Sequence, residues 1–235
     1  PAHSSSAASA VSKRQHHAGS QLDPATLGFM QQSRIGSYSV LFLLIAAMIG
    51  VECVLLAADQ GWIGSARWRT LAYQFAAFWP GLLGTWQPNY AGQQILMFLS
   101  YAFVHAGPDH LIGNAIVLWL LGRQVTDNVG QIGFCVVFFL TSLGAALVFM
   151  AMTAGTNPMI GASGVVFGLA GVLVGWQWQS RKAGVRPMLE TVGIVAVLVL
   201  LNVVLYLWYD GRVAWQAHLG GFIVGFGLSQ ALWEK

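Results

Sequence analysis

The segment GASGVVFGLAGVLVGWQWQ occupies residues 161–179 and contains no charged side chain. A helix needs about 20 mostly apolar residues to cross the hydrocarbon core of a bilayer, so this segment predicts a membrane-spanning helix. Five further apolar segments of similar length lie at 38–58, 108–125, 132–152, 188–208 and 215–232. The sequence therefore predicts six membrane spans, with both termini on the same side.

The amino-acid composition indicates the same class of protein. Of the 235 residues, 8% are charged and 56% are hydrophobic. Soluble domains carry about 25% charged residues. The composition excludes a soluble globular domain, a disordered chain and a collagen-like fibre, and it predicts an all-α polytopic membrane protein embedded in a lipid bilayer. The net charge of +3 is small, so no nucleic-acid partner is predicted.

A glycine–proline pair sets the start of the second span. The apolar stretch begins near residue 95, but Gly107 and Pro108 interrupt it. Proline suits the first turn of a helix and destabilises its interior. The helix is therefore predicted to begin near Pro108, and residues 95–106 are assigned to the preceding loop.

Both cysteines lie inside apolar segments. Cys53 belongs to the first span and Cys135 to the third. A disulfide framework would place cysteines in loops, so both are predicted to be buried free thiols.

Residues 1–33 differ in composition from the rest of the chain. They are rich in Ser, Ala, Gln, Gly and His and contain a single acidic residue, Asp23. This composition is typical of a polar flexible tail, and its basic, acid-poor character also resembles an organelle targeting segment. The membrane domain is predicted to cover residues 34–235, with a long first outer loop at about 59–107.

The positions of Lys and Arg orient the spans, because inner loops carry an excess of positive charge. With the N-terminus inside, the inner segments hold Lys13, Arg14, Arg34, Arg123, Arg181, Lys182, Arg186 and Lys235. The outer segments hold Arg67, Arg69 and Arg212. Both termini are therefore predicted on the inner side, which is the cytoplasm or, in a mitochondrion, the matrix.

The first outer loop is unusually aromatic. It carries Trp62, Trp68, Tyr73, Trp79, Trp86 and Tyr90. Amphipathic rings settle at the boundary between lipid headgroups and the apolar core. The loop is therefore either an ordinary aromatic belt or a membrane-embedded loop that frames a site.

A few polar side chains lie inside the spans, where they cost free energy and usually mark function. His110 and Asn114 lie one turn apart on the second span, Ser163 opens the fourth span, and His218 opens the sixth. These three spans run in the same direction, so His110, Ser163 and His218 are expected near the outer face. A seryl oxygen, imidazoles and the free N–H groups of helix N-termini are the groups that acyl transfer requires.

Small residues four apart allow membrane helices to pack backbone against backbone. The fourth and sixth spans carry such residues at Gly164, Gly168, Gly171, Gly175, Ala217, Gly221 and Gly225. Contact between these two faces would bring Ser163 within hydrogen-bonding distance of His218.

Three short motifs occur in order along the chain. They are His105-xxxx-His110-xxx-Asn114, Gly161-Ala162-Ser163-Gly164 and Ala217-His218-xx-Gly221-xxx-Gly225. Together they resemble the rhomboid family of intramembrane serine proteases. The resemblance covers about residues 38–232 and implies a six-helix rhomboid-like bundle.

The resemblance also implies roles for individual residues. Ser163 matches the nucleophile, and His218 matches the general base of a dyad that requires no carboxylate. His110 and Asn114 match the side chains that form an oxyanion hole with the Ser163 backbone N–H. The supporting positions are His105 in the first loop, Gly161 and Gly164 beside the nucleophile, and Gly221, where the two catalytic helices touch.

The sequence departs from the family pattern in two places. Leu96 and Met97 stand where members often carry a Trp-Arg pair, and Trp68-Arg69 lies much earlier in the loop. Phe167 stands where members commonly have a Tyr that stacks on the catalytic histidine, so the ring is kept and the hydroxyl is lost.

The other polar residues are given smaller roles. Glu52 is expected to face the bundle, protonated or hydrogen-bonded, and Asn202 is expected to support helix packing. Asp210 in the last outer loop is an alternative third catalytic residue. The spacing of His105, Asp109, His110 and His218 matches no compact metal site, so neither a metal nor a cofactor is predicted.

These observations predict a serine-type endopeptidase that cleaves single-span membrane proteins near the outer face of the bilayer. Hydrolysis needs water, so the dyad should lie in a hydrated cavity, with the irregular linker at 153–160 beside it. Substrates are expected to have small or helix-breaking residues near one end of their span. The alternatives are a catalytically silent rhomboid-like scaffold or subunit that binds other membrane proteins, and a transporter or channel.

Overall fold

The computed structural model describes residues 38–153, 157–180 and 185–232, so the tail predicted at 1–33 lies outside the described residues. Within these ranges the chain forms α1 (Ser39–Asp59), α2 (Trp68–Ala76), α3 (Gln93–Ser100), α4 (Pro108–Met152), α5 (Ser163–Ser180), α6 (Val185–Trp208) and α7 (Trp215–Ala231). Short 3₁₀ helices lie at Pro80–Leu83 and Tyr101–Phe103. The all-α prediction is confirmed, and no strand longer than an isolated bridge occurs in the described part of the chain.

The longest helix, α4, consists of two arms joined at Gly130. This residue has a φ of 70°, a left-handed backbone conformation that favours glycine. A Cβ on Gly122 would lie 3.3 Å from the ring of Phe134, so the second arm folds back along the first. Each arm of 22 residues is about 33 Å long, which suits a hydrocarbon core of about 30 Å. The arms correspond to the second and third predicted spans, and the first begins at Pro108 as expected.

Two of the described helices are long and apolar enough to cross a bilayer. They are α1 and α4, and residues 192–208 of α6 form a shorter apolar stretch. Helices α5 and α7 have 18 and 17 residues, fewer than α1 or α4. The count of six spans therefore stays a prediction.

Helices α5 and α7 pack in parallel through their glycines. A Cβ on Gly221 would overlap the carbonyl oxygen of Gly164, and a Cβ on Gly225 would overlap that of Gly168. The second arm of α4 lies against the same pair, where a Cβ on Gly164 would meet the Ala145 side chain at 2.6 Å. These contacts carry the small-residue packing that the sequence indicated.

The long first loop packs onto the segment that precedes α5. Phe78 and Met159 exchange two backbone hydrogen bonds of 3.0 Å, and the Gly161 N–H donates to the Tyr101 carbonyl at 2.9 Å. Both Phe78 and Tyr101 are fully buried. The loop therefore frames the start of α5, which favours the second interpretation of its aromatic residues over a simple belt.

Part of the region assigned to the loop is helical. Residues 95–106 were assigned to the loop that precedes the second span, and residues 95–100 of this loop belong to α3. The helix forms because Gln93 and Met97, one turn apart, are both fully buried and anchor its inner face. The first loop thus contains a helix of its own before α4 begins at Pro108.

Both cysteines are exposed, which corrects their predicted burial. Cys53 lies on an outward face of α1 and Cys135 on an outward face of α4. Membrane helices present apolar side chains to lipid as well as to the protein core. An apolar neighbourhood in the sequence therefore does not indicate burial within the protein.

Candidate active site

Ser163 and His218 lie together at the starts of α5 and α7. The Ser163 Oγ is 2.8 Å from the His218 Nε2, within hydrogen-bonding distance. Ser163 is the first residue of α5, and it follows Gly161, whose φ of +98° turns the chain into the helix. The histidine is 3% exposed, while Ser163 is only partly buried. The imidazole is thus buried within the protein, whereas Ser163 retains some exposure.

The imidazole of His218 is stacked on the ring of Phe167. The ring centroids are 4.3 Å apart and the planes differ by 2°. Phe167 lies one turn after Ser163 on α5, so the helix that carries the hydroxyl also supports the face of the imidazole. Loss of the phenolic hydroxyl at this position leaves the stacking intact.

The second ring nitrogen of His218 faces Asn202. The Asn202 Oδ1 lies 3.0 Å from the His218 Nδ1, across the contact between α6 and α7. Asn202 was expected to support helix packing, and its amide joins α6 to α7 through the imidazole of His218. Asp210, the alternative third residue, is exposed and pairs with Arg212 at 3.4 Å. The position beside Nδ1 is therefore occupied by an amide from α6.

His110 and Asn114 lie at the start of α4, beside the segment that leads to Ser163. A Cβ on Gly161 would lie 2.6 Å from the His110 Cε1, so the imidazole packs directly against this glycine. The Asn114 Nδ2 donates to the His110 carbonyl oxygen at 2.8 Å within the same helix. The His110 ring therefore contacts the backbone at Gly161, two residues before Ser163. Asn114 lies one turn further along α4.

His105 holds the same segment from the loop side. Its Nε2 lies 3.4 Å from the Ala162 nitrogen and accepts that N–H, and its ring meets the His110 ring edge-on at 5.1 Å. The residue is fully buried. Burial, aided by the nearby His110, lowers the pKa of His105 to about 3. A neutral imidazole at this position keeps its acceptor for the Ala162 N–H.

Arg69 joins α1, α2 and the first loop. Its guanidinium lies 2.8 Å and 3.1 Å from the two Glu52 oxygens and 2.6 Å from the Asp59 Oδ2. It also donates to the His105 carbonyl oxygen at 3.1 Å. The hydrogen bond to Glu52 is the main cause of the raised pKa of Arg69. Glu52 faces the bundle as expected, and the charged Arg69 satisfies it.

A cavity of about 510 Å³ opens beside the imidazole. Its lining includes His218, Asn202, Phe167, Tyr206, Trp215 and Phe222. Apart from the first two residues, mostly apolar side chains form the walls. The cavity lies on the α6 side of His218, where an apolar ligand group could approach the site.

The family model described as the rhomboid domain matches residues 92–235, which include every residue of this site except Arg69 and its acidic partners. The chain belongs to the rhomboid family. Comparable members include RHOMBOID-like protein 4 of Arabidopsis thaliana, which is 30% identical over 146 residues, covering 60% of this chain and 35% of that protein. Rhomboid-like protein 11, chloroplastic, of the same plant is 36% identical over 87 residues, covering 36% and 31% respectively.

A bacterial relative carries a protease name. The rhomboid protease GluP of Bacillus subtilis is 26% identical to this rhomboid over 129 residues, covering 55% of this chain and 24% of that protein. The chain spans about a third of the length of the two Arabidopsis proteins. The rhomboid family is a multi-pass integral membrane family that acts on transmembrane proteins. It includes serine intramembrane proteases and inactive members.

Two features of this rhomboid were missed in the sequence. The contact of Asn202 with His218 was not identified, and neither was the partner of Glu52. For Asn202 the available signal was a lone amide within a continuous apolar segment. For Glu52 the available signal was an acidic residue inside an apolar segment, which needs a cation or a hydrogen-bond partner. No local motif indicated that Arg69 in the following loop is that partner.

Proposed function

We propose that this rhomboid is an intramembrane serine endopeptidase that cleaves single-span membrane proteins near the outer face of the bilayer. Ser163 is the nucleophile and His218 the general base. The observation that carries the proposal is the 2.8 Å contact between the Ser163 Oγ and the His218 Nε2. A serine hydroxyl is a weak nucleophile at neutral pH, and an adjacent neutral imidazole activates it.

The chemical steps follow from this pair. The Ser163 Oγ attacks the carbonyl carbon of the scissile bond while its proton passes to the His218 Nε2. The same proton then moves to the leaving amine, and the C–N bond breaks to give an acyl-enzyme. Water repeats the sequence on the ester, which restores the Ser163 hydroxyl and releases the new carboxyl terminus.

Three donors are assigned to the oxyanion of the tetrahedral intermediate. They are the backbone N–H of Ser163, the imidazole of His110 and the side-chain amide of Asn114. An amide nitrogen carries two hydrogens, and the bond from Asn114 to the His110 carbonyl uses one of them. The second remains available for a substrate oxygen. Removing one such donor in other serine proteases lowers the rate by roughly 10²–10³.

The substrate class follows from where the pair lies along the helices. Ser163 opens α5 and His218 lies in the first turn of α7, so the pair lies at one end of the helical bundle. With both termini on the inner side, that end faces outward. A peptide bond within a helix is shielded by its hydrogen bonds, so substrates need small or helix-breaking residues near the cut.

The decisive assay is cleavage in reconstituted membranes. The purified protein is incorporated into liposomes with a panel of single-span proteins that differ in small residues near the outer end of the span. Wild type, Ser163→Ala and His218→Ala are compared by product formation. We expect cleavage by the wild type and none by either variant.

Ser180→Ala is the matched control for the serine substitution. Ser180 ends the same helix, is exposed, and donates to the Gln177 carbonyl at 3.0 Å, far from the imidazole. This variant should cleave as the wild type does. Equal cleavage by wild type and Ser163→Ala would refute the proposal, and stable binding of substrates without cleavage would favour the scaffold.

A further inference from the structure

Asn202 is a polar residue in an apolar part of α6. Residues 195–205 read VAVLVLLNVVL. An amide among apolar side chains at membrane depth lacks the hydrogen bonds of water, so it needs a partner within the protein. Its partner is on another helix, where the His218 Nδ1 lies 3.0 Å from the Asn202 Oδ1. The amide therefore satisfies its own hydrogen-bonding need by contacting the proposed general base.

The two nitrogens of the imidazole face different groups. Nδ1 faces Asn202, and Nε2 lies 2.8 Å from the Ser163 Oγ. Nε2 can accept the seryl proton only in the neutral tautomer that carries its hydrogen on Nδ1. The carbonyl oxygen of Asn202 accepts that hydrogen. The contact therefore favours the tautomer that general-base catalysis requires.

The contact also limits rotation of the ring. Phe167 stacks on His218 with an angle of 2° between the planes, which fixes the plane of the imidazole. Stacking alone permits rotation within that plane. A hydrogen bond at Nδ1 removes this freedom and directs Nε2 toward Ser163, because the two nitrogens lie on opposite sides of the ring.

We propose that Asn202 is a positioning residue that holds the tautomer and orientation of His218. It acts through the imidazole and does not contact the substrate. The inference rests on the proposed function of Ser163 and His218. It adds a third member to the pair, a neutral amide supplied by α6, and this role goes beyond the packing role that the sequence suggested for this residue.

The site has room for informative substitutions. Asn202 lines the 510 Å³ cavity together with Val199, Val203 and Leu198, so a leucine of similar size can be accommodated. Asn202→Leu removes the acceptor and keeps the volume. Asn202→Asp keeps an acceptor in the same place, since an ionised carboxylate can only accept. Val197→Ala shortens an exposed side chain of the same helix that does not line the cavity, so it is the matched control.

The test is steady-state cleavage of a single-span substrate in liposomes, with thermal unfolding measured for each variant. We expect Asn202→Leu to lower kcat about 10- to 100-fold with KM unchanged, less than the roughly 10⁴-fold effect of neutralising the charged third member of a Ser-His-Asp triad. Asn202→Asp should retain most of the wild-type kcat, and Val197→Ala should leave both constants unchanged.

Two results would overturn the inference. One is wild-type kcat in Asn202→Leu, and the other is a loss of kcat in Asn202→Asp as large as in Asn202→Leu. The second result stays informative if the leucine variant unfolds. Ser163→Ala, measured alongside, separates the two proposals. If Ser163→Ala is inactive and Asn202→Leu is not, only the role of Asn202 fails, whereas activity in Ser163→Ala removes the proposed function itself.

Discussion

Gly221 of α7 lies directly against the backbone carbonyl of Gly164 of α5, so close that any Cβ at position 221 would overlap that oxygen. The contact sets the separation of the two helices. Ser163 adjoins Gly164 in α5, and His218 lies one turn before Gly221 in α7. The spacing of the proposed catalytic pair is therefore set by a contact that only glycine permits.

Gly221→Ala should consequently push α7 away from α5. We expect it to lower the free energy of unfolding by about 1–3 kcal/mol and to lower the cleavage rate, because the added methyl group meets backbone that cannot rotate away. Gly227→Ala is the matched control on the same helix, since beyond its chain neighbours and the adjacent backbone of α7 nothing lies within 4 Å of the added methyl group. Thermal unfolding and cleavage of both variants check this, and equal effects would contradict the packing argument.

Removing one partner of the ion pair between Arg69 and Glu52 should strongly destabilise the fold. The Glu52 side chain is 4% exposed, so Arg69→Gln leaves a buried carboxylate without its cation. We expect a loss of about 3–5 kcal/mol, and a smaller loss when Glu52→Gln is combined with it. Arg212→Gln breaks an exposed pair with Asp210 and should change little. A double-mutant cycle by thermal unfolding measures the coupling, and additive effects would argue against it.

His105 should make the protein less stable in mild acid. Its pKa is lowered from 6.5 to about 3 in the folded chain. As the pH falls below 6.5, the imidazole of the unfolded state binds a proton that the folded state does not. The free energy of unfolding therefore falls progressively from about pH 6.5 to about pH 3, whereas above pH 6.5 this histidine costs no stability. His105→Gln keeps an acceptor for the Ala162 N–H and removes the titration. Unfolding temperatures from about pH 7 to about pH 4 should fall less steeply in the variant; parallel curves would show that His105 does not contribute.

The stacked ring of Phe167 should affect rate more than substrate binding. Phe167→Leu removes the aromatic face from His218 and should lower kcat roughly 2- to 10-fold, matching a stacking contribution of about 0.5–1.5 kcal/mol. Phe167→Tyr keeps the ring and should cleave like the wild type. Steady-state kinetics of the two variants provide the comparison. An unchanged kcat in the leucine variant would mean that stacking does not orient the imidazole.

Local patterns in the sequence predicted the helices and the pairing of the spans. Apolar segments located α1 and both arms of α4, and Pro108 set where α4 begins. Glycines spaced four apart predicted that α5 and α7 pack closely enough to bring Ser163 and His218 together. These predictions succeed because each depends on residues that lie close together in the chain. The spacing of such residues follows directly from helix geometry.

Other features depend on which way a side chain points, and no local pattern contained that information. Asn202 lies in a uniformly apolar segment, where no polar face indicates which neighbour it contacts. For the same reason Cys53 was wrongly predicted to be buried. The ion pair between Arg69 and Glu52 depends on the path of the chain that connects α1 to α2, because this path places α2 beside α1. These relationships become visible only when the helices are placed in three dimensions.

The most direct test of the central claim is covalent labelling of the serine. The purified wild type is treated with a fluorophosphonate or an isocoumarin and the modified residue is identified by mass spectrometry, with His218→Ala and Ser180→Ala treated in parallel. We predict an adduct on Ser163 in the wild type and in Ser180→Ala, and none in His218→Ala. An unlabelled Ser163 in the folded wild type, or equal labelling of Ser163 in His218→Ala, would contradict activation of this hydroxyl by the imidazole.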